Sequence, residues 1–224
     1  MRRCAIAKSR GWSKRWLEGD VHQPSAFRSD DAEALELIGL HPLAQLVAVA
    51  DGLPVATPVP MFVRGDSLVG HLARPNQIWR HQGPALAIFT GPQAYISPRW
   101  YENKTVDGKV VPTWNYTTVQ VHGRLVAHDD TRWTHQLVSE LTERFEAVYP
   151  EPWAVSDAPD EFIRTLVRGI VGIELVDLQI VGKLKLSQNR PEVDQQRVAA
   201  ALTSGSAEEQ AVGRTMSGNV GIVR

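Results

Sequence analysis

With 224 residues, 43% hydrophobic and 22% charged, the chain has an ordinary globular composition. It is long enough to remove about 70% of its extended surface from water without staples. Lys and Arg number 24 against 25 Asp and Glu, a formal charge of −1 that argues against a duplex-DNA binder working through bulk charge. A single cysteine, Cys4, excludes a disulfide framework and a Cys-rich metal site. No apolar run reaches the ~18 residues of a membrane helix, so a cytoplasmic location is expected.

Residues 1–20 differ from the rest of the chain. Up to Val21 the chain holds six basic and two acidic side chains, +4, which leaves −5 for the remainder. Cys-Ala-Ile-Ala (4–7) is too short for the apolar region of a secretory signal. Two readings stay open: a basic arm carrying Trp12 and Trp16 that binds nucleic acid or an anionic surface, or an atypical extension ahead of a start at Val21. The second is favoured.

In chain order, Ser29 or Asp30 is the expected N-cap of a helix that carries Leu35, Leu37, Ile38 and Leu40 and stops at His41-Pro42. Strands come next at Gln45–Ala50 and Leu53–Val63, joined by Asp51-Gly52, a strong hairpin signal. Arg64-Gly65-Asp66 turns the chain into a strand at Ser67–Leu72. Pro75–His81 reads as a short helix, and Ala85–Thr90 as a buried strand that Gln93–Ser97 extends. After a polar loop at 102–111, Tyr116–Ala127 alternates as a strand. A long helix is expected over Thr131–Tyr149, another over Asp160–Val167, then two strands at Gly169–Asp177 and Leu178–Ser187. Pro191–Leu202 is the last helix, and 203–224 is read as a loose polar tail. About six strands at hairpin spacing, with helices grouped between them, predict an antiparallel α+β barrel. Neither a G-x-G-x-x-G nor a G-x-x-x-x-G-K-[ST] pattern is present.

Four segments are dense in chemistry. Gly70 to Arg80 offers Arg74, Asn76, Gln77 and Arg80 as donors beside backbone N–H groups, a candidate phosphate cradle or a polar turn around one buried Trp. Gly91–Tyr101 and Val111–Tyr116 contribute Tyr95, Trp100, Tyr101, Trp114 and Tyr116, five of the sixteen aromatics. Such a cluster can wall a flat heteroaromatic ligand, or simply pack a core. Gly182–Pro191 sets Lys183, Lys185, Ser187, Asn189 and Arg190 at a strand end, an anion site or a solvated terminus. The histidines lack metal-ligand spacing, and no metal site is expected.

Taken together, "GHLARPNQIW" (70–79), "GPQAYISPRWY" (91–101), "VPTWNY" (111–116), "VHG" (121–123), "RGIVG" (168–172) and "GKLKLSQNR" (182–190) resemble the PaiB-like family of flavin-binding negative transcriptional regulators. The matches run in order from about Val21 to Leu202, and Val21-His-Gln-Pro-Ser-Ala-Phe27 is similar to the family's opening pattern. The resemblance implies a split β-barrel over 21–202, of the flavin reductase and pyridoxamine-phosphate-oxidase kind, acting as a homodimer with FMN. By position it places Thr57 (in "PVATPVP"), His71, Arg74, Gln77 and Arg80 at the FMN phosphate. Tyr95, Trp100 and Trp114 would border the isoalloxazine, with Lys185, Gln188 and Arg190 reaching it. Pro58 departs from the family pattern, which carries His there, and puts flavin contacts at that position in question. The family label implies a DNA-directed role, yet the sequence has no helix-turn-helix signature. A flavin-dependent oxidoreductase, with His71, Tyr95 or Tyr116 as proton donor, is the alternative.

Overall fold

The structure, a computed structural model, describes residues 22–218, so the basic stretch expected at 1–20 lies outside the described residues. Six strands are present: β1 (Leu43–Ala50), β2 (Leu53–Arg64), β3 (Ser67–Ala73), β4 (Gly83–Ile96), β5 (Thr113–His128) and β6 (Ile170–Lys185). The helices are α1 (Asp31–Leu40), α2 (Asn103–Val106), α3 (Thr131–Glu146), α4 (Asp160–Arg168), α5 (Glu192–Leu202) and α6 (Ala207–Met216). The strands form a closed barrel in the order β1-β2-β3-β6-β5-β4. This is the antiparallel α+β barrel the sequence predicts. The described chain divides into two compact units, one of Pro42–Phe89 and Gln120–Ile180, the other of residues 22–41, Thr90–Val119 and residues 181–218.

In the first unit, local chemistry sets the register. Asp51 (φ 51°) and Gly52 (φ 80°) form the two-residue loop that pairs Ala50 with Leu53. Two positive φ values are what a type I′ hairpin requires. Pro54, Pro58 and Pro60 sit in β2, where a missing N–H would normally break a ladder. Over residues 53–60, however, β2 pairs with β1, and its β3 pairing begins only at Met61. Pro58 is therefore tolerated by the sheet and exposed. Closure comes from β1 against β4, Gln45↔Ile88 to Ala48↔Ala85. Ala44, Leu46, Val59, Met61, Leu68, Phe89, Val121, Leu125, Ile173 and Leu175 point inward and are fully buried. On the outer side α3 lays Leu137, Trp133 and Leu141 on Phe62 and Val69.

The second unit is capped rather than closed. Asp30 accepts from the Glu33 N–H at 2.8 Å and Glu33 accepts from the Asp30 N–H at 2.9 Å, a capping box that starts α1. A core of Ala94, Ile96, Tyr101, Leu184, Leu186, Val198, Leu202 and Val212 joins the strand ends to α5 and α6.

Several expected boundaries move. The two strands expected over 169–187 are one, β6, because Asp177 adopts φ 57° without ending the ladder. Asp tolerates this conformation, and Arg124 holds its carboxylate at 3.2 Å. The helix expected to reach Tyr149 ends at Glu146, the Pro75–His81 helix is a 3₁₀ turn at Gln77–Arg80, and the 102–111 loop contains α2. Of the expected loose tail, the described residues 203–218 are mostly helix. Ser206 and Glu209 form a second capping box, and Val212 is fully buried.

Gly172 is where α3 meets β6. A Cβ there would lie 2.1 Å from the Trp133 ring. Gly172→Ala should therefore cost about 1–3 kcal/mol by overpacking, read as a lower urea midpoint with unchanged slope.

Burial holds the imidazoles of His41, His71 and His122 below the ordinary 6.5, because desolvation disfavours the charged form. His71 Nδ1 and His122 Nε2 are buried without a hydrogen-bond partner. Below 6.5 the unfolded chain binds more protons than the folded one, so stability is lost as pH falls through that value toward the folded ones. The urea midpoint should drop between about pH 7.5 and about pH 5.5, and His71→Asn should flatten the drop. An unaltered slope in the variant would show that His71 titrates freely in the fold.

Candidate functional site

The predicted residues fall into two sets, one in each unit. In the first unit β3 runs through His71 into the 3₁₀ turn. Asn76 organises this turn: its Oδ1 accepts from the Ile78 N–H at 3.1 Å and its Nδ2 donates to Thr57 Oγ1 at 3.0 Å. That leaves the Thr57 hydroxyl proton available to a ligand. The backbone N–H groups expected as a cradle are mostly spent within the protein. Arg74 N–H donates to Gly169 O, Asn76 N–H to Ala73 O and His81 N–H to Ile78 O.

Arg74 is committed as well. It forks onto Asp129 at 3.0 and 2.7 Å and donates to the Arg168 and Ile170 carbonyls at 2.8 and 3.2 Å. The Asp129 hydrogen bond raises the guanidinium above its ordinary value, and the same bond lowers the carboxyl. Four of its five N–H groups are thus engaged, and Arg74 acts as a clamp on the start of β6. Gln77 donates to Pro75 O at 3.0 Å. Arg80 is exposed, lies 4.9 Å over the Trp79 ring and has no carboxylate partner among the described residues. Thr57 and Arg80 are the donors that this segment leaves open.

In the second unit, strand alternation builds one face. On β5, Asn115 and Thr117 turn inward, so Trp114 and Tyr116 turn outward. At the end of β6 Leu184 is buried, as is Leu186 just beyond it, so Lys183 and Lys185 face the other way. Tyr95 on β4 meets Trp114 edge-on, ring centroids 6.1 Å apart, and the two are 47% and 52% exposed. Large aromatics left this open form a ready flat contact surface. Lys183 and Lys185 lie 5.7 and 5.9 Å from the Tyr116 ring centre. Lys185 also donates to Thr113 Oγ1 and to the Trp114 carbonyl. Burial, then the neighbouring Lys183 and Arg190 charges, push its ammonium below the ordinary range.

The remaining predicted residues make contacts of their own within this unit. Arg190 stacks over the Tyr101 ring at 4.6 Å, and Tyr101 is buried, its hydroxyl unpartnered and its ionisation raised by desolvation. Gln188 staples its own strand end, accepting from Leu186 N–H at 2.7 Å and donating to Leu184 O at 2.6 Å. Trp100 is half-buried against the apolar core of this unit, apart from the exposed pair. Among the described residues no carboxylate pairs with Lys183, Lys185 or Arg190. Lys183 and Tyr116 were not among the predicted cofactor contacts. The period-two alternation that exposes Trp114 and Lys185 marks both of them.

Among the described residues no group of three or more His, Cys, Asp and Glu side chains is placed to hold a metal ion, and no helix is long and apolar enough to cross a membrane.

Residues 21–176 match the family described as "Putative FMN-binding domain". The protease synthase and sporulation protein PAI 2 of Bacillus subtilis is 30% identical over 190 residues, which cover 81% of this chain and 89% of that one. An uncharacterized protein of Emericella nidulans is 36% identical over 128 residues, 52% of this chain. The chain spans about half the length of that relative and of a similar one from Aspergillus fumigatus, 51% and 49%. Among solved structures, the FAD and heme binding protein from Mycobacterium smegmatis superposes with a TM-score of 0.51 at 18% identity, over 70% of this chain and 73% of that one. A conserved hypothetical protein from Mycobacterium tuberculosis does so at 0.54 and 12% identity, over 77% and 95%. At such identities the likeness establishes the fold, a split barrel with flanking helices. The match over 21–176 and the similarity to PAI 2 together make this chain a member of the PaiB-like FMN-binding domain family, with FMN as its cofactor.

Proposed function

We propose that the protein is a PaiB-type regulator, a cytoplasmic homodimer in which FMN is a structural or redox-sensing cofactor. The observation that carries this reading is the cluster of Lys183, Lys185 and Arg190, unpaired with any carboxylate among the described residues and set in the same unit as the open Tyr95–Trp114 pair. Lys185, its ammonium depressed by burial and then by the Lys183 and Arg190 charges, is stabilised by an anion, and exposed aromatics by a flat apolar partner. FMN brings both, a dianionic phosphate and an isoalloxazine that carries the redox chemistry.

In this reading Lys185, Lys183 and Arg190 bind anionic groups and Trp114 and Tyr95 offer ring contacts, all within the second unit. Gln188 holds the backbone that presents Lys185. Residues 21–224 carry −5 and offer no electrostatic footprint for duplex DNA, so flavin is the better-supported ligand. The PAI 2 relative is named for protease synthesis and sporulation, which fits a regulatory output.

Addition of FMN to the purified full chain should give bands near ~370 and ~450 nm with quenched flavin fluorescence. Lys185→Met should weaken FMN binding by about tenfold or more, through loss of a charge-assisted contact. Absence of any spectral change with the wild-type chain would end the reading. NADH oxidation by the holoprotein would instead favour an oxidoreductase, and a DNA gel shift seen only at low salt would count as non-specific.

A further inference from the structure

Between α3, the turn at Val155–Asp157 and α4, the first unit contains a cleft of about 410 Å³. None of its lining residues is among the flavin-directed set. Its apolar part is Ile163, buried on α4, with Ala154 and Val155. Its polar part is His135 and Glu143 from α3, and Ser156, Asp160 and Arg164.

The charges of this cleft are unequally satisfied. Arg164 is paired with Asp160 at 4.0 Å and with Glu161 at 3.7 Å, so the cation at this site already has two carboxylates. The acids of α3 are also mostly engaged. Glu140 binds Arg64 at 3.4 Å and Gln136 at 2.8 Å, and Glu146 accepts from the Trp153 N–H at 3.0 Å. The Glu143 carboxylate alone among them has no hydrogen-bond or ionic partner among the described residues, and it is the one that lines the cleft. An unpaired carboxylate beside an apolar pocket attracts a cation with an apolar body. It repels an anion of the same shape.

We propose that the α3–α4 cleft is a second ligand site, for a small primary amine. Its ammonium pairs with Glu143, and its apolar part lies on Val155 and Ile163. A volume of this size lies toward the lower end of the range for small-molecule pockets and is ample for an amine of about seven non-hydrogen atoms. The site is distinct in chemistry from the flavin donors, which are cationic, so an amine does not compete for them.

The test titrates n-hexylammonium, hexanoate and 1-hexanol separately into the full chain, monitored by calorimetry or amide chemical shifts. Saturable binding of hexylammonium is expected in roughly the millimolar range, with shifts confined to α3, α4 and the turn between them. Glu143→Gln should weaken it at least fivefold, and added salt should weaken it in the wild type but little in the variant. Because Glu143 is exposed, the variant should fold normally, which far-ultraviolet circular dichroism checks. Equal binding of hexanoate or hexanol, an unchanged affinity in Glu143→Gln, or no saturable binding of the amine would each overturn the proposal. Retained FMN binding in Glu143→Gln would separate this site from the flavin reading.

Discussion

Four residue pairs, Gln45↔Ile88 to Ala48↔Ala85, hold β1 against β4 and close the sheet of the first unit on itself. Closure removes the unpaired edges that an open sheet would have to protect, and it divides every strand into an inner and an outer set. Inner positions must then be filled with apolar side chains, as Leu46, Met61, Phe89 and Leu175 are. Whatever chemistry the protein performs is left to the outer set and to the segments beyond the strand ends. Period-two alternation is therefore more than a secondary-structure signal here. It assigns Lys183 and Lys185 to one side of β6 and Leu184 to the other.

Charge compensation then decides which outer residues remain free to bind. Arg74 and Lys185 look equivalent in sequence, each a cation at a strand end in a segment rich in polar donors. Arg74 meets Asp129 and two carbonyls and becomes part of the frame. Lys185 meets a hydroxyl, a carbonyl and two further cations, and among the described residues no carboxylate pairs with it. The same accounting separates Glu143 from Glu140 and Glu146 on α3. Residue type proposes a ligand, and the neighbours decide whether it is already occupied.

Much of the fold was legible in the sequence because its signals are local. Asp51-Gly52 dictates a two-residue hairpin, the Asp30/Glu33 capping box starts α1, and alternation marks β5. The errors also have local causes. Asp177 carries the conformation of a turn residue without making a turn, so one strand reads as two. The stretch after 203 reads as a tail by composition, although Ser206 and Glu209 already spell a capping box. At the site, sequence brought the right segments forward but could not rank their residues. The Asp129 that occupies Arg74 lies 55 positions away, and backbone carbonyls together with the Asn76 amide oxygen satisfy N–H groups expected to hold a phosphate. Long-range pairing of that kind leaves no periodicity to read.

The second unit shows what it takes to hold partly desolvated cations in place. Asn115, fully buried on β5, exchanges hydrogen bonds with Ser187 at 3.0 and 3.1 Å and reaches Met216 Sδ at 3.4 Å. Ser187 adopts φ 68°, an unfavourable conformation for a residue with a side chain, and it is kept there by this buried contact. Gln188 then closes on Leu184 and Leu186, pinning the last turn of β6 around Lys185. A lysine on a free strand end would swing into water and recover its full hydration. Anchored by its hydroxyl and carbonyl partners, Lys185 stays beside Tyr116 with its charge incompletely solvated. The helix α6 is thereby tied to the cation cluster through Met216 and Asn115, although it contributes no residue to it. What composition marks as a loose polar tail is, in packing terms, joined through Met216 to the buried Asn115–Ser187 contact at the end of β6.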